Sequence, residues 1–232
     1  VDIRTSDSNV TVQYQNKGQM HTSRADYCLN SIPGQILAGV ANNFDSEFQK
    51  TLETRPRGKL SKIGLQMNNR FWEKEGIYGG NSWTGQDITQ IMYPSHGYHQ
   101  NKGVVIGGYI YSGAINDKVM SMSAEQRIEM AKRQGEKVHP GYANAVENGV
   151  SVAWYRMNHI LGCTARNHPG AVQHVLQAPQ GRHYLIGDQA AHHSGWQESA
   201  VLSAHFALNH ITQRETGQSS LGRRSTDAAG VG

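Results

Sequence analysis

GRHYLIGDQAAHHSGWQESAVLSAHFALNHI, residues 181–211, is the stretch whose reading decides the fold. His183 to Ile186 reads as a short apolar strand that Gly187 interrupts, leaving the carboxylate of Asp188 at the strand's end. A crossing of small and polar residues follows. Gly195-Trp196 then opens a helix in which Ala200, Val201, Ala204, Leu208 and Ile211 recur at helical spacing, with Ser199, Ala200, Ser203 and Ala204 keeping the first turns narrow. A carboxylate placed after a strand and before a helix N-terminus suits a sugar hydroxyl and a phosphate-bearing ligand.

Working outward, the 232 residues are enough for one full core or two small ones. No apolar run reaches the roughly 20 residues of a membrane span, and no signal-peptide pattern opens the chain. The net charge of +4 is modest, and Arg214, Arg223 and Arg224 of the polar C-terminus supply much of it. Clustered basic residues on a folded element, the mark of a nucleic-acid surface, are missing, so neither nucleic acid nor membrane is an expected partner. Cys28 and Cys163 are far apart and form no metal-binding pair, and the compartment stays open.

Residues 1–33 read as a β-meander with strands at Val1–Thr5, Val10–Tyr14 and Arg24–Ile32, ended by Pro33-Gly34. Gln35 to Leu52 has helical spacing, broken around Asn42-Asn43, and Arg55-Pro56-Arg57-Gly58 marks a passage between domains. Strands follow at Leu60–Met67, Ile88–Tyr93 and Val104–Tyr111, then a helix from a capping box at Ser123-x-x-Gln126, a strand at Val150–Trp154 and a loop at Arg156–Arg166. The expected class is α/β, in the mixed α+β sense. Its expected segments are 1–58, 59–180 and 181–212, with a flexible tail at 213–232.

Gly187-Asp188, the spacer, Gly195-Trp196 and the small-residue helix together resemble the C-terminal signature of the FAD-dependent amine oxidases, with Asp where that family usually carries Glu. The order KIGLQ, RFWE, GIYGG, IMYP, GVVIGGYIY narrows the likeness to the L-amino acid oxidases, especially bacterial ones. The resemblance implies part of a two-domain flavoenzyme: 1–58 and 181–212 from the FAD-binding domain, 59–180 from the substrate domain. It implies FAD held without a covalent bond by Gly187, Asp188, Trp154, Gly195, Trp196 and Gln197. Because no GxGxxG fingerprint occurs, the expected partner is an N-terminal chain of the same oxidase that carries the dinucleotide-binding motif, in a dimer of heteromers cut from one precursor.

A lysine between apolar neighbours either reaches solvent or sits partly buried. By resemblance, Lys62 stands by the flavin N5, assists the reaction with oxygen and holds the hydrolytic water. Trp196 walls an aromatic cage, and Trp154 packs near the ring. Tyr109 follows Gly107-Gly108, read as leaving room beside its hydroxyl, and by resemblance contacts the substrate carboxylate. The Gly195 carbonyl receives the substrate amino group, and Tyr111 and Thr164 belong to the side-chain pocket. Lys62, Tyr109 and Trp196 form the expected catalytic set. Cys163 lies nine residues after Trp154, an offset close to that of the flavin-bonding cysteine in monoamine oxidases, though a buried thiol is the favoured reading. Asp188 and His192 are four apart, without a recognised zinc spacing, and no metal is expected. The expected activity is oxidation of an L-α-amino acid to a 2-oxo acid, ammonia and hydrogen peroxide. A monooxygenase forming an amide and a non-catalytic module with an oxidase-like shell are the alternatives.

Overall fold

Alternation in Ser61-Lys62-Ile63-Gly64-Leu65-Gln66-Met67 buries every odd-numbered side chain and turns Lys62, Gly64 and Gln66 to the opposite face. The computed structural model in which this is seen describes residues 1–55, 57–111, 113–163 and 170–217. In chain order the strands are β1 (Asp2–Thr5), β2 (Val10–Asn16), β3 (Gln19–Ala25), β4 (Cys28–Asn30), β5 (Ala41–Asn42), β6 (Ser61–Met67), β7 (Asn81–Trp83), β8 (Gln90–Met92), β9 (Gly103–Ile110), β10 (Val146–Ala153) and β11 (His183–Leu185). The helices are α1 (Gly34–Ala38), α2 (Ser46–Thr54), α3 (Phe71–Lys74), α4 (Gly113–Ser121), α5 (Ala124–Gly135), α6 (Tyr142–Ala145), α7 (Gly170–Gln177) and α8 (Gln197–Thr216). They form two units, one spanning Arg57–Cys163 and the other formed by the residues on either side of it.

The Arg57–Cys163 unit is an antiparallel sheet in the order β10-β6-β9-β8-β7. Ile63, Leu65 and Met67 of β6 meet Val105 and Ile110 of β9, Met130 and Ala131 of α5, Tyr142 of α6 and Trp72 of α3 in one core. The other face of the sheet carries Lys62, Gly64 and Gln66 beside exposed Val104 and Val150. The capping box forms as expected: the Ser123 hydroxyl accepts from Gln126 N and Gln126 Oε1 accepts from Ser123 N.

In the second unit, β3-β2-β1-β5 form one sheet, and β4 pairs with β11 in parallel as a separate ribbon. Ile3, Val10, Leu37, Phe48, Leu52, Leu176 and Leu185 make its core. Asp45 Oδ1 accepts from Phe48 N at 2.7 Å and starts α2.

Several expectations shift. The third meander strand is Gln19–Ala25, while Cys28–Asn30 leaves the meander to pair with β11. The single broken helix at 35–52 is two helices, because Asn42 pairs with β1 and its carboxamide oxygen accepts from Phe44 N. Ile88 and Thr89 lie outside β8, and α4 and α7 had no expectation. The boundary drawn at 180 moves toward the N-terminus, since α7 packs on α2 and β11. The tail drawn from 213 is still helical to Thr216, and residues 218–232 lie outside the described set.

His183 is fully buried in β11, 4.5 Å from the Phe44 ring. Asn30 Oδ1 accepts from Ile32 N, so the Asn30 amide nitrogen, 3.1 Å from Nε2, donates to the ring and the ring proton sits on Nδ1. Burial pushes the His183 pKa down to about 4 from the usual 6.5. The unfolded chain therefore takes up a proton between these values that the folded one refuses. Stability is fully present above pH 6.5 and falls by about 3 kcal/mol as pH drops toward 4. Urea denaturation across this window should show that slope, and His183→Leu should remove its share of it.

Candidate functional site

β6 and β9 pair with Leu65 opposite Val105 and Gly64 opposite Ile106, then slip so that Ile63 faces Gly108 and Lys62 faces Tyr109. Gly107 is the extra residue of a β-bulge. Strand side chains alternate, so a regular β9 would follow Val104 and Ile106 with Gly108 on the same face. The added residue puts Tyr109 there instead. The two glycines serve this slip, not the space beside the phenol expected from the sequence. A Cβ on Gly107 would come 2.5 Å from Leu65 Cδ1 and 2.8 Å from the Tyr142 hydroxyl, and one on Gly108 would come 3.1 Å from Ile63 Cδ1. Both glycines therefore lie against the core: a side chain on Gly107 would overlap it, and one on Gly108 would need Ile63 to give by a few tenths of an ångström.

On the outer face Lys62 Nζ stands 4.9 Å from the centroid of the Tyr109 ring, a cation–π contact. Tyr109 and Tyr111 have ring centroids 5.8 Å apart, tilted by 58°. Burial, followed by the nearby Cys163 thiol and Tyr111, raises the Tyr109 pKa and keeps its phenol protonated. Cys163 is half-buried, with its N–H on Gly58 O at 2.9 Å. Trp154 N donates to Leu60 O at 3.0 Å, and Trp154 O accepts from Gly162 N at 3.0 Å. The structure thus gathers Lys62, Tyr109, Tyr111 and Cys163 at one end of the sheet, with the Trp154 backbone tied to the start of β6.

In the other unit, Gly187 follows β11 with φ +99° and donates its N–H to Ser203 Oγ at 2.8 Å. Asp188 Oδ2 accepts from Gly195 N at 3.1 Å, and Gly195 has φ +96°. That bond draws the 188–195 crossing back to the carboxylate and sets Trp196 at the N-cap of α8 with 73% of its surface exposed, next to exposed Gln197. A carboxylate at the end of a parallel strand, beside a glycine and a helix start lined by buried Ser199 and Ser203, fits a flavin nucleotide's polyol chain. Thr164 lies outside the described residues.

Two residues escaped the sequence reading. Gln189 is buried and clamps the turn: Oε1 accepts from Gly34 N at 2.8 Å and Nε2 donates to Ile32 O at 2.9 Å. Arg55 reaches Gln189 O at 3.5 Å. Burial lowers its pKa to about 10 while the Asp188 charge opposes the shift. A lone Gln after an Asp and an Arg in a basic turn carry no local signal, because both act on partners more than 130 positions away. Among the described residues no three His, Cys, Asp or Glu side chains gather as a metal site.

The family described as flavin containing amine oxidoreductase matches residues 1–211. An L-amino-acid oxidase of Siganus canaliculatus is 31% identical over 230 residues, covering 91% of this chain and 42% of its own length. The flavin-dependent L-tryptophan oxidase RebO of Lentzea aerocolonigenes is 26% identical over 220 residues, covering 91% and 46%. Among solved structures, the cyclohexylamine oxidase from Brevibacterium oxydans IH-35A superposes with a TM-score of 0.74 at 17% identity, over 90% of this chain and 48% of that one. Putrescine oxidase bound to putrescine gives 0.73 at 13%, over 91% and 47%. The chain therefore spans less than half the length of these proteins.

If the bulge depends on Gly107, Gly107→Ala should cost about 1–3 kcal/mol. Gly113→Ala, whose added Cβ meets nothing within 4 Å, should be close to neutral in the same urea titration.

Proposed function

The chain belongs to the flavin containing amine oxidoreductases, and from that premise we propose that it is one part of an L-amino-acid oxidase. FAD is the cofactor of this family, bound without a covalent link in the typical member. The proposed reaction converts an L-α-amino acid to a 2-oxo acid, ammonia and hydrogen peroxide. The Lys62–Tyr109 pair carries this reading: a protonated phenol and an ammonium side by side on an open sheet face suit an anionic substrate group and a developing negative charge.

When bound, FAD supplies the acceptor for the hydride leaving the substrate Cα and the route for those electrons to oxygen. The chain's own residues bind, orient and shield. Tyr109, kept protonated, donates its hydroxyl to the substrate carboxylate. Lys62 holds the water that hydrolyses the imino acid and offers positive charge to reducing oxygen. Tyr111 lines the side-chain pocket beside Tyr109. Asp188, next to Gly187, accepts a hydroxyl of the cofactor's polyol chain, and the bond from Gly195 N holds the carboxylate in place. Trp196, Gln197 and Trp154 serve the ring system, with the exposed indole of Trp196 excluding water. The Gly195 carbonyl takes the substrate amino group.

The proposed partner is a second polypeptide of the same oxidase that carries the dinucleotide-binding motif, in a dimer of such heteromers. The two-stranded parallel ribbon β4–β11 supports further covering protein here, since parallel strands ordinarily belong to larger covered sheets. Helix α8 adds to it by turning Ser199, Ser203 and Ala207 inward and Val201, Leu202, Phe206 and Leu208 outward, leaving apolar surface for another chain.

Co-expression with the complementary part should give a yellow complex that forms peroxide and 2-oxo acid from an L-amino acid. Lys62→Met should slow flavin reoxidation by about 100-fold while FAD stays bound. An amide product would reassign the reaction to a monooxygenase, and a complex that takes up no flavin would rule out the oxidase reading.

A further inference from the structure

Five non-glycine residues among those described have positive φ, and of these Thr89, at +58°, is the one with a β-branched side chain. A branched Cβ resists the left-handed region more than the Asn or Gly that turns usually place there. Thr89 ends the connection between β7 and β8: Thr84 N donates to its carbonyl at 2.8 Å, and its own N–H reaches Gln86 O at 2.9 Å. Its hydroxyl donates to the carbonyl of Tyr109, and Tyr109 N donates to Ile88 O at 3.2 Å. The neighbouring Ile88 is itself anchored, fully buried with its N–H on Gln134 Oε1 of α5 at 3.0 Å.

These contacts substitute for a missing strand. β8 pairs with β9 at Met92 and Ile106, and beyond the Gly107 slip the Ile88–Thr89 corner takes both backbone groups of Tyr109. Both groups point toward that corner and away from β6. Lys62 and Tyr109 are therefore opposed as a non-hydrogen-bonded pair, the kind in which facing side chains lie closest, in keeping with the 4.9 Å contact between Nζ and the ring.

We propose that Thr89 is a positioning residue for the amino acid substrate: its hydroxyl and its left-handed backbone hold Tyr109 at the angle that sets the phenol beside Lys62. This rests on the reading of Tyr109 as the carboxylate ligand. Thr89 touches no substrate and acts through the Tyr109 backbone.

The test uses the assembled, FAD-loaded oxidase. Thr89→Gly keeps the backbone conformation accessible and removes the hydroxyl. It should raise KM for the amino acid about tenfold, the worth of one hydrogen bond, while kcat changes by less than about twofold. Thr89→Ser keeps the donor and should stay near wild type. Tyr109→Phe should raise KM by itself, and adding Thr89→Gly to it should raise KM no further. An unchanged KM in Thr89→Gly, or effects that multiply in the double variant, would overturn the positioning role while leaving Tyr109 as the ligand. An unchanged KM in Tyr109→Phe would overturn the reading beneath it.

Discussion

Between Gly64 and Ile63 the ladder joining β6 to β9 slips by one residue, and Gly107 absorbs the slip. Because strand side chains alternate, that one residue decides which face Tyr109 occupies. It places the phenol on the same face as Lys62, and it leaves β9 without a regular partner on its β8 side, a gap the Ile88–Thr89 corner fills. The core sets the limit on this arrangement. Leu65 and Tyr142 press so close under Gly107 that a Cβ there would overlap them, and Ile63 lies in tight contact under Gly108. The packing of a buried face thus determines the chemistry of the exposed one.

The second unit shows a different physical theme, polar side chains that fix ring and backbone groups, two of them across more than 150 positions. Asn30 fixes the ring proton of His183, Gln189 ties the end of β11 to the Ile32–Gly34 turn, and Asp188 is held by Gly195 across the crossing before α8. Each bond satisfies a group that would otherwise be costly to bury or free to wander. Together they make the region after β11 a defined platform, with a carboxylate, a glycine and an exposed tryptophan in fixed order.

Much of this was legible in the sequence. The strand, glycine, acid and helix of 181–211 formed in the order read, although the strand stops at Leu185 and Val201 and Leu208 of the helix face outward. The alternation of β6 and the capping box at Ser123 formed as read, because each depends on residues close in sequence. Gly107-Gly108 stood out, but their purpose did not. A bulge is a relation between two strands, and pattern in one strand cannot reveal it. The same holds for the pairing of Cys28–Asn30 with β11, a contact across more than 150 positions, and for Arg55 beside Asp188. Thr89 looked like a strand residue because Ile88 to Tyr93 is apolar and branched, yet tertiary demand at Tyr109 drew it out of the ladder.

The face that carries Lys62 and Tyr109 is the central element of the proposed oxidase, and a crystal structure of the assembled, FAD-loaded protein with a bound amino acid carboxylate examines it most directly. The expected result is a Tyr109 hydroxyl within about 3 Å of that carboxylate, with Lys62 reaching the flavin through water. A carboxylate bound elsewhere, with Lys62 and Tyr109 remote from the flavin, would contradict it.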